Sequence, residues 1–167
     1  MKRIIIICEG QTEQSFCNDV LAPHFNRLEI YLETPTIKKN GGGIVPWQAL
    51  KHQIEKHLAQ DRSAKVTTFI DYYGLYANLE YPRWDEAKIK TDKVERMDIL
   101  EKGMKENIAP NFQSRFIPYI QLNEFESLLF CDIDVYKTSF EEAEFLNYAY
   151  LESTINENSN PENINNG

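Results

Sequence analysis

An uninterrupted Ile4-Ile5-Ile6-Ile7 run, followed at once by Cys8-Glu9-Gly10-Gln11-Thr12-Glu13, constrains this chain more than any other stretch. Consecutive β-branched residues make a strand with two apolar faces, and such a strand must be covered above and below. That is the parallel strand of an α/β sheet with helices on both sides. Open parallel sheets present ligands and reactive groups at the carboxyl ends of their strands, where Glu9 stands. Gly10 permits a sharp turn, and Thr12 is placed to cap a helix beginning at about Glu13. The alternative is that Glu9 and Glu13 only complement the dipole of that helix.

The pattern repeats along the chain. Residues 13–22 read as a helix burying Phe16, Cys17, Val20 and Leu21, ended or kinked by Pro23. Residues 28–39 read as a second strand, bent at Pro35 and broken by Gly41-Gly42-Gly43, which is a plain turn or a phosphate wrap at the next helix. A helix opening near Pro46 puts Trp47, Leu50, Ile54 and Leu58 on one face. Residues 65–71 (Lys-Val-Thr-Thr-Phe-Ile-Asp) make a third strand, again ending on a carboxylate, Asp71. The aromatic segment 72–91 is long enough to be functional or partner-binding. Asp92 opens a helix with Met97, Leu100, Met104 and Ile108 inward. Residues 115–122 read as an edge strand carrying Pro118, and it hands over to Glu124-Phe125-Glu126, with Phe125, Leu128 and Leu129 on one face of a short helix. A last helix over residues 140–151 would turn Phe145, Leu146 and Ala149 inward. One domain over residues 1–152 is expected, followed by a flexible or truncated Asn-rich segment, 153–167.

Charge limits the partners. Residues 124–167 hold ten acids against Lys137 alone, whereas the first 123 residues are nearly balanced, within a net charge of -8. A nucleic-acid binder normally carries a basic excess, so a divalent cation or a partner must supply positive charge if this chain meets DNA or RNA. The three cysteines lack zinc spacing and read as reduced packing residues. No stretch approaches a membrane span or a signal peptide, which points to a cytoplasmic protein. His52 and His57, about 140° apart around a helix, do not suit one metal and read with His24 as surface or capping residues. Nucleotide-binding glycine loops and nucleophile elbows are absent from the sequence.

Glu9, Asp71 and Glu124 or Glu126 thus form a set of carboxylates expected at neighbouring strand ends. Clustered carboxylates repel unless a proton or a cation joins them, and Mg²⁺ or Mn²⁺ relieves that repulsion while keeping room for water and phosphate oxygens. The pattern points to phosphodiester chemistry.

The chain also resembles a bacterial Toprim-like family of domain-of-unknown-function proteins, related to the Toprim domains of topoisomerases, primases and overcoming-lysogenization-defect nucleases. The resemblance is carried by Glu9-Gly10-Gln11-Thr12-Glu13, Gly42-Gly43, Asp71-Tyr72-Tyr73-Gly74-Leu75, Tyr81-Pro82 and Glu124-Phe125-Glu126-Ser127-Leu128-Leu129-Phe130. It implies a Rossmann-like three-layer sandwich around a mostly parallel sheet of about four strands. It further implies a nuclease or nuclease-like subunit in which Glu9 is the general acid/base, with Glu13 and Asp71 beside it. Asp71 with Glu124 or Glu126 would hold Mg²⁺ or Mn²⁺ next to Glu9. Gly10, Thr12, Tyr72, Tyr73 and Gly74 would line the substrate or partner loop. Relatives encoded beside ABC-type ATPases imply such a partner, a role in phage defence, and a possible homodimer. Two departures stand out: the second Toprim aspartate is replaced by Tyr73, and Asn123 stands where relatives carry a histidine. The rival reading is a catalytically inactive interaction module.

Overall fold

The computed structural model describes residues 2–38, 43–122 and 124–157. The chain divides into two compact units, Met1–Leu122 and Asn123–Gly167.

The first unit is built on a sheet. The isoleucine run forms β1 (Lys2–Cys8), followed by a helical stretch and β2 (Ile30–Glu33). After α3 (Trp47–Gln60) comes β3 (Lys65–Asp71), and after α4 (Trp84–Ala87) and α5 (Lys93–Asn107) come β4 (Phe116–Ile117) and β5 (Ile120–Gln121). The order is β2-β1-β3-β4, with β5 also on β3, and every pairing is parallel. Ile5 and Ile7, with Val66 and Ile70 of β3, join a core shared with Trp47, Leu50, Ile54, Leu58, Leu100 and Met104. The alternate residues serve the opposite face, where Cys8 meets Cys17 and the Phe69 ring lies 6.2 Å from Phe16. Period-two alternation in a doubly covered strand explains why every isoleucine position can be apolar. The architecture is α/β, a five-stranded parallel sheet flanked by helices, consistent with a Rossmann-like three-layer sandwich.

Two helices follow their sequence signals. Pro46 stands immediately before α3, where a missing N–H is harmless, and Trp47, Leu50, Ile54 and Leu58 are all at most 1% exposed. The far end of α3 is closed by Arg115, whose guanidinium donates to the carbonyls of Leu58 (2.7 Å), Asp61 (2.8 Å) and Ala64 (3.0 Å). Asp92 caps α5 by accepting from Val94 N (2.8 Å) and Glu95 N (3.0 Å).

Elsewhere the structure differs from the sequence expectations for identifiable reasons. Thr12 is not the helix cap: α1 (Gln11–Phe16) starts two residues earlier, with Gly10 at the cap and Glu13 reaching back to its N–H. Pro23 does not end the helix, because residues Cys17–Leu21 widen into a π-helical segment that runs into α2 (Ala22–Asn26). There Ala22 N–H bonds Cys17 O, five residues back, which gives room for a proline that cannot donate. The wider turn leaves Val20 exposed at 56% instead of buried. The second strand is shorter than expected, since Glu29 turns with φ 58° and Pro35 interrupts the ladder. Pairing resumes beyond Pro35, with Cys8 N–H to Pro35 O at 2.9 Å and Ile37 N–H to Cys8 O at 2.8 Å. Pro118 splits the last strand into β4 and β5, which makes five strands of an expected four. Thr68 bridges the gap: its hydroxyl donates to Tyr119 O (2.8 Å) and accepts from Tyr119 N (3.0 Å). Of the glycine run, only Gly43 lies within the described residues, at φ 86°.

The second unit holds a 3₁₀ segment (Phe125–Cys131), α6 (Ile133–Ser139), a 3₁₀ turn (Glu142–Glu144) and α7 (Tyr148–Glu157). Phe130, Tyr136, Phe140, Phe145 and Tyr148 form a chain of ring contacts, the tightest being Phe145 to Tyr148 at 5.3 Å. Leu146, expected inward, is fully exposed because the helix begins at Tyr148 and leaves it in the connection. The α7 helix continues through residue 152, and residues 158–167 of the tail lie outside the described residues. Among the described residues no helix is long and apolar enough to cross a membrane.

Candidate functional site

The chain leaves β1 for β2 on one side and returns to β3 on the other. The crevice beyond the carboxyl ends of β1 and β3 is therefore the topological switch point, where open α/β sheets bind ligands. Cys8 is opposite Phe69 in the register, so Glu9 falls level with Ile70 and Asp71 lies one residue further on, both at the carboxyl edge of the sheet. Backbone and side chain lock them together. Glu9 N–H donates to Phe69 O at 2.9 Å, and Asp71 N–H donates to Glu9 Oε2 at 3.0 Å. Both residues are partly buried. A charged acceptor on a backbone N–H makes a strong bond, so the Glu9 carboxylate is held in a set orientation.

The surroundings of Glu9 come from three further segments. Gly74, in the 3₁₀ turn Tyr72–Gly74, leaves space that a Cβ would fill 3.8 Å from Glu9 Oε1 and 2.7 Å from Ile44 Cδ1. Tyr81 is 2% exposed, and its phenol donates to Val45 O at 3.4 Å. Burial, with the charge of Glu9 adding to it, pushes the Tyr81 phenol well above its ordinary value and keeps it protonated. Gly10 and Glu13 complete the near side: Glu13 is 7% exposed and accepts Gly10 N–H at 2.8 Å. Glu13 thus stands at the N-terminus of α1, where its charge also complements the helix dipole.

Beneath the site, Cys8 and Cys17 are fully buried with their sulfurs 3.9 Å apart, and both are free thiols. The adjoining Cys17 sulfur, followed by burial, pushes the Cys8 thiol strongly upward, so it packs as a neutral group.

Segment 72–91 is largely built into the fold and is not an open aromatic loop. Arg96 of α5 donates to Tyr72 Oη at 2.9 Å, and Tyr72 stacks on Trp84 at 6.3 Å. Gly103 allows the loop to touch α5, since a Cβ there would lie 2.7 Å from Pro82 O. Tyr73 and Tyr76 remain exposed, at 68% and 60%.

The structure therefore brings together Glu9, Gly10, Glu13, Asp71 and Gly74, with Tyr72 anchored behind them and Tyr73 outward. Thr12 lies exposed on the first turn of α1. Glu124 and Glu126 belong to the second unit and are exposed there, flanking the buried Phe125, and Asn123 lies outside the described residues. Among the described residues no three His, Cys, Asp or Glu side chains form a group that could hold a metal ion. Ile44 and Tyr81 shape the surroundings of Glu9 and were not among the expected site residues. Tyr81 had a signal, an aromatic residue directly before Pro82 inside a polar segment, whereas Ile44 had none.

Comparison with curated proteins and with solved structures gives no match. A family profile described as Domain of unknown function (DUF4276) matches residues 8–167, from the last residue of β1 onward, and the chain belongs to that family.

Proposed function

We propose that the chain is a divalent-metal-dependent, Toprim-like nuclease or nuclease-like subunit acting on nucleic-acid phosphodiesters, working with an ABC-type ATPase partner in bacterial phage defence. One observation carries the reading: Glu9 and Asp71 flank the switch point, and the Asp71 N–H orients the Glu9 carboxylate. The donor set suits Mg²⁺ or Mn²⁺ in one respect. Such an ion takes one or two carboxylates and fills its other positions with water and substrate phosphate oxygens. The Glu9–Asp71 pair fits a cation that arrives with its phosphate and does not make a closed cage. Glu9 and Asp71 would hold that cation, which would supply charge stabilisation at the phosphorus and an acidified water.

The protein's own contribution is positional. Glu9, fixed by the β1 and β3 backbones, is the proposed proton acceptor or donor. Protonated Tyr81 is a neutral neighbour that does not compete for the cation. Net charge supports the need for a cation, since a chain at -8 repels a polyanion. Incubation of wild type and Glu9→Gln with plasmid DNA and structured RNA in Mn²⁺ tests the reading. Cleavage lost in Glu9→Gln supports it, and cleavage that survives removes Glu9 from its role.

The second reading, a catalytically inactive interaction module, is favoured by the lack of a three-acid group among the described residues and by the exposed Tyr73 and Tyr76. Capture of the ATPase partner that fails in Tyr73→Ala/Tyr76→Ala, with no metal binding in wild type, supports that reading instead.

A further inference from the structure

A groove of about 550 Å³ runs along the solvent side of α3, walled by Ile37, Lys38 and Val45. The helix residues that line it are Ala49, His52, Gln53, Lys56, His57 and Gln60. Their spacing is a helical stripe, set about 120° around α3 from the buried Leu50-Ile54-Leu58 stripe. In a chain with 26 acids, this lining holds, among the described residues, two lysines and two histidines and no carboxylate. A cavity so biased against the composition of its own chain favours an anion.

The walls are fixed. Gln53 is 7% exposed, donates to Thr36 O at 3.0 Å, and accepts from Lys38 N at 3.1 Å, which pins the Lys38 backbone to α3. The same wall backs onto the strand-end site. Ile37 N–H bonds Cys8 O, next to Glu9, and Val45 O receives the Tyr81 hydroxyl. Ile44 lies against Gly74 beside Glu9 Oε1.

We propose that this groove binds the phosphodiester backbone of a nucleic-acid strand and leads it to the Glu9–Asp71 crevice, with Lys38 and Lys56 facing phosphates and His52 and His57 flanking them. The inference rests on the nuclease reading for its substrate class, and on the groove for its location. From Ala49 to Gln60 the helix rises roughly 16 Å, enough for several phosphates at ~3.4 Å of axis each. His57 responds to the charges around it. Burial first, then Lys38 and Lys56, hold its imidazole below the ordinary value, against the opposing pull of Glu33. An anion between the lysines and His57 offsets those cations and raises the imidazole again.

The test reads binding with Ca²⁺ in place of Mg²⁺ or Mn²⁺, which supplies divalent charge against the polyanion and keeps binding separate from cleavage. A fluorescein-labelled single-stranded oligonucleotide is followed by anisotropy, and the His52 and His57 ring resonances by NMR, with inorganic phosphate as a second probe. Wild type is compared with Lys38→Gln/Lys56→Gln, both exposed positions whose replacement leaves the core intact, and with Glu9→Gln. The expected result is oligonucleotide binding that shifts both histidines and is weakened about tenfold or more in the double variant. The salt slope should fall by about one for each lysine removed. Binding unchanged in the double variant overturns the proposal, as does an absence of oligonucleotide binding. A histidine response to inorganic phosphate alone overturns the strand assignment. Groove binding together with no metal-dependent cleavage by wild type would sink the nuclease reading and leave the groove standing.

Discussion

The ends of β1 and β3 and the end of β5 are built in different ways, although each hands its chain to an acidic residue. At β1 and β3 the parallel ladder itself delivers Glu9 and Asp71, and an N–H of one bonds the carboxylate of the other. At β5 the ladder is two residues long. Its place is held by side chains: the Thr68 hydroxyl on Tyr119, the Glu101 carboxylate on Ile120 N–H at 2.9 Å, and the Tyr119 hydroxyl on Gln121 at 2.6 Å. Glu124 and Glu126 follow in the second unit, exposed. An acid after a strand becomes part of a site when two long paired strands carry it to one edge. After a short, proline-broken strand, side-chain bonds fix the backbone and the acid is not placed by the ladder.

Three substitutions probe that difference. The largest effect is expected from Gly103→Ala, which drives a Cβ to 2.7 Å from Pro82 O and displaces the loop that follows β3. Overpacking against backbone should cost about 3 kcal/mol, against roughly 1 kcal/mol gained in helix propensity. Urea denaturation should show the net loss, and an unchanged midpoint would mean that the loop is not braced on α5. Thr68→Val comes next. It removes the hydroxyl bonded to Tyr119 N and O and should cost about 1–2 kcal/mol, with Thr67→Val near zero as its control. Equal effects from the two would contradict the claim that side chains replace the ladder at Pro118.

The smallest effect concerns Glu101. Burial raises its carboxyl above the ordinary value, against the bond from Ile120 N–H. Because the folded value lies above the unfolded one, the favourable contribution is complete below the unfolded value and is lost as pH rises through the folded one. Glu101→Gln keeps an acceptor for Ile120 N–H and removes the ionisation. The variant should gain on wild type in thermal melts as pH rises from 4 toward 7, by an amount discounted for the partial exposure of the group. A difference that stays constant across that range would break the assignment.

Where a local cause decides the outcome, the sequence was readable. Ile4–Ile7 could only be a doubly buried strand, Pro46 and Asp92 mark helix starts by what each can or cannot donate, and the inward stripes of α3 and α5 follow from 3.6-residue periodicity. Where the outcome depends on a partner element, it was not. The π-helical segment before Pro23, the split at Pro118 and the exposure of Leu146 follow from how the chain accommodates a missing donor or a late helix start. The proximity of Glu9 and Asp71 was legible because both end strands of the same buried kind. The packing of Ile44 and Tyr81 around Glu9, and the basic groove on α3, needed the register and the return of the chain after Thr36. His52 and His57 were expected as surface or capping residues that share no metal. They do lie far apart around the helix, yet they line one groove.

The most direct test of the central claim is calorimetric titration of Mn²⁺ into wild type, Asp71→Asn and Glu124→Gln/Glu126→Gln, each with a short duplex present to supply phosphate oxygens. If Glu9 and Asp71 form the metal-dependent site at the switch point, wild type binds, Asp71→Asn loses the binding heat, and the double variant keeps most of it. Equal binding in wild type and Asp71→Asn, or no binding in any of the three, would contradict the account.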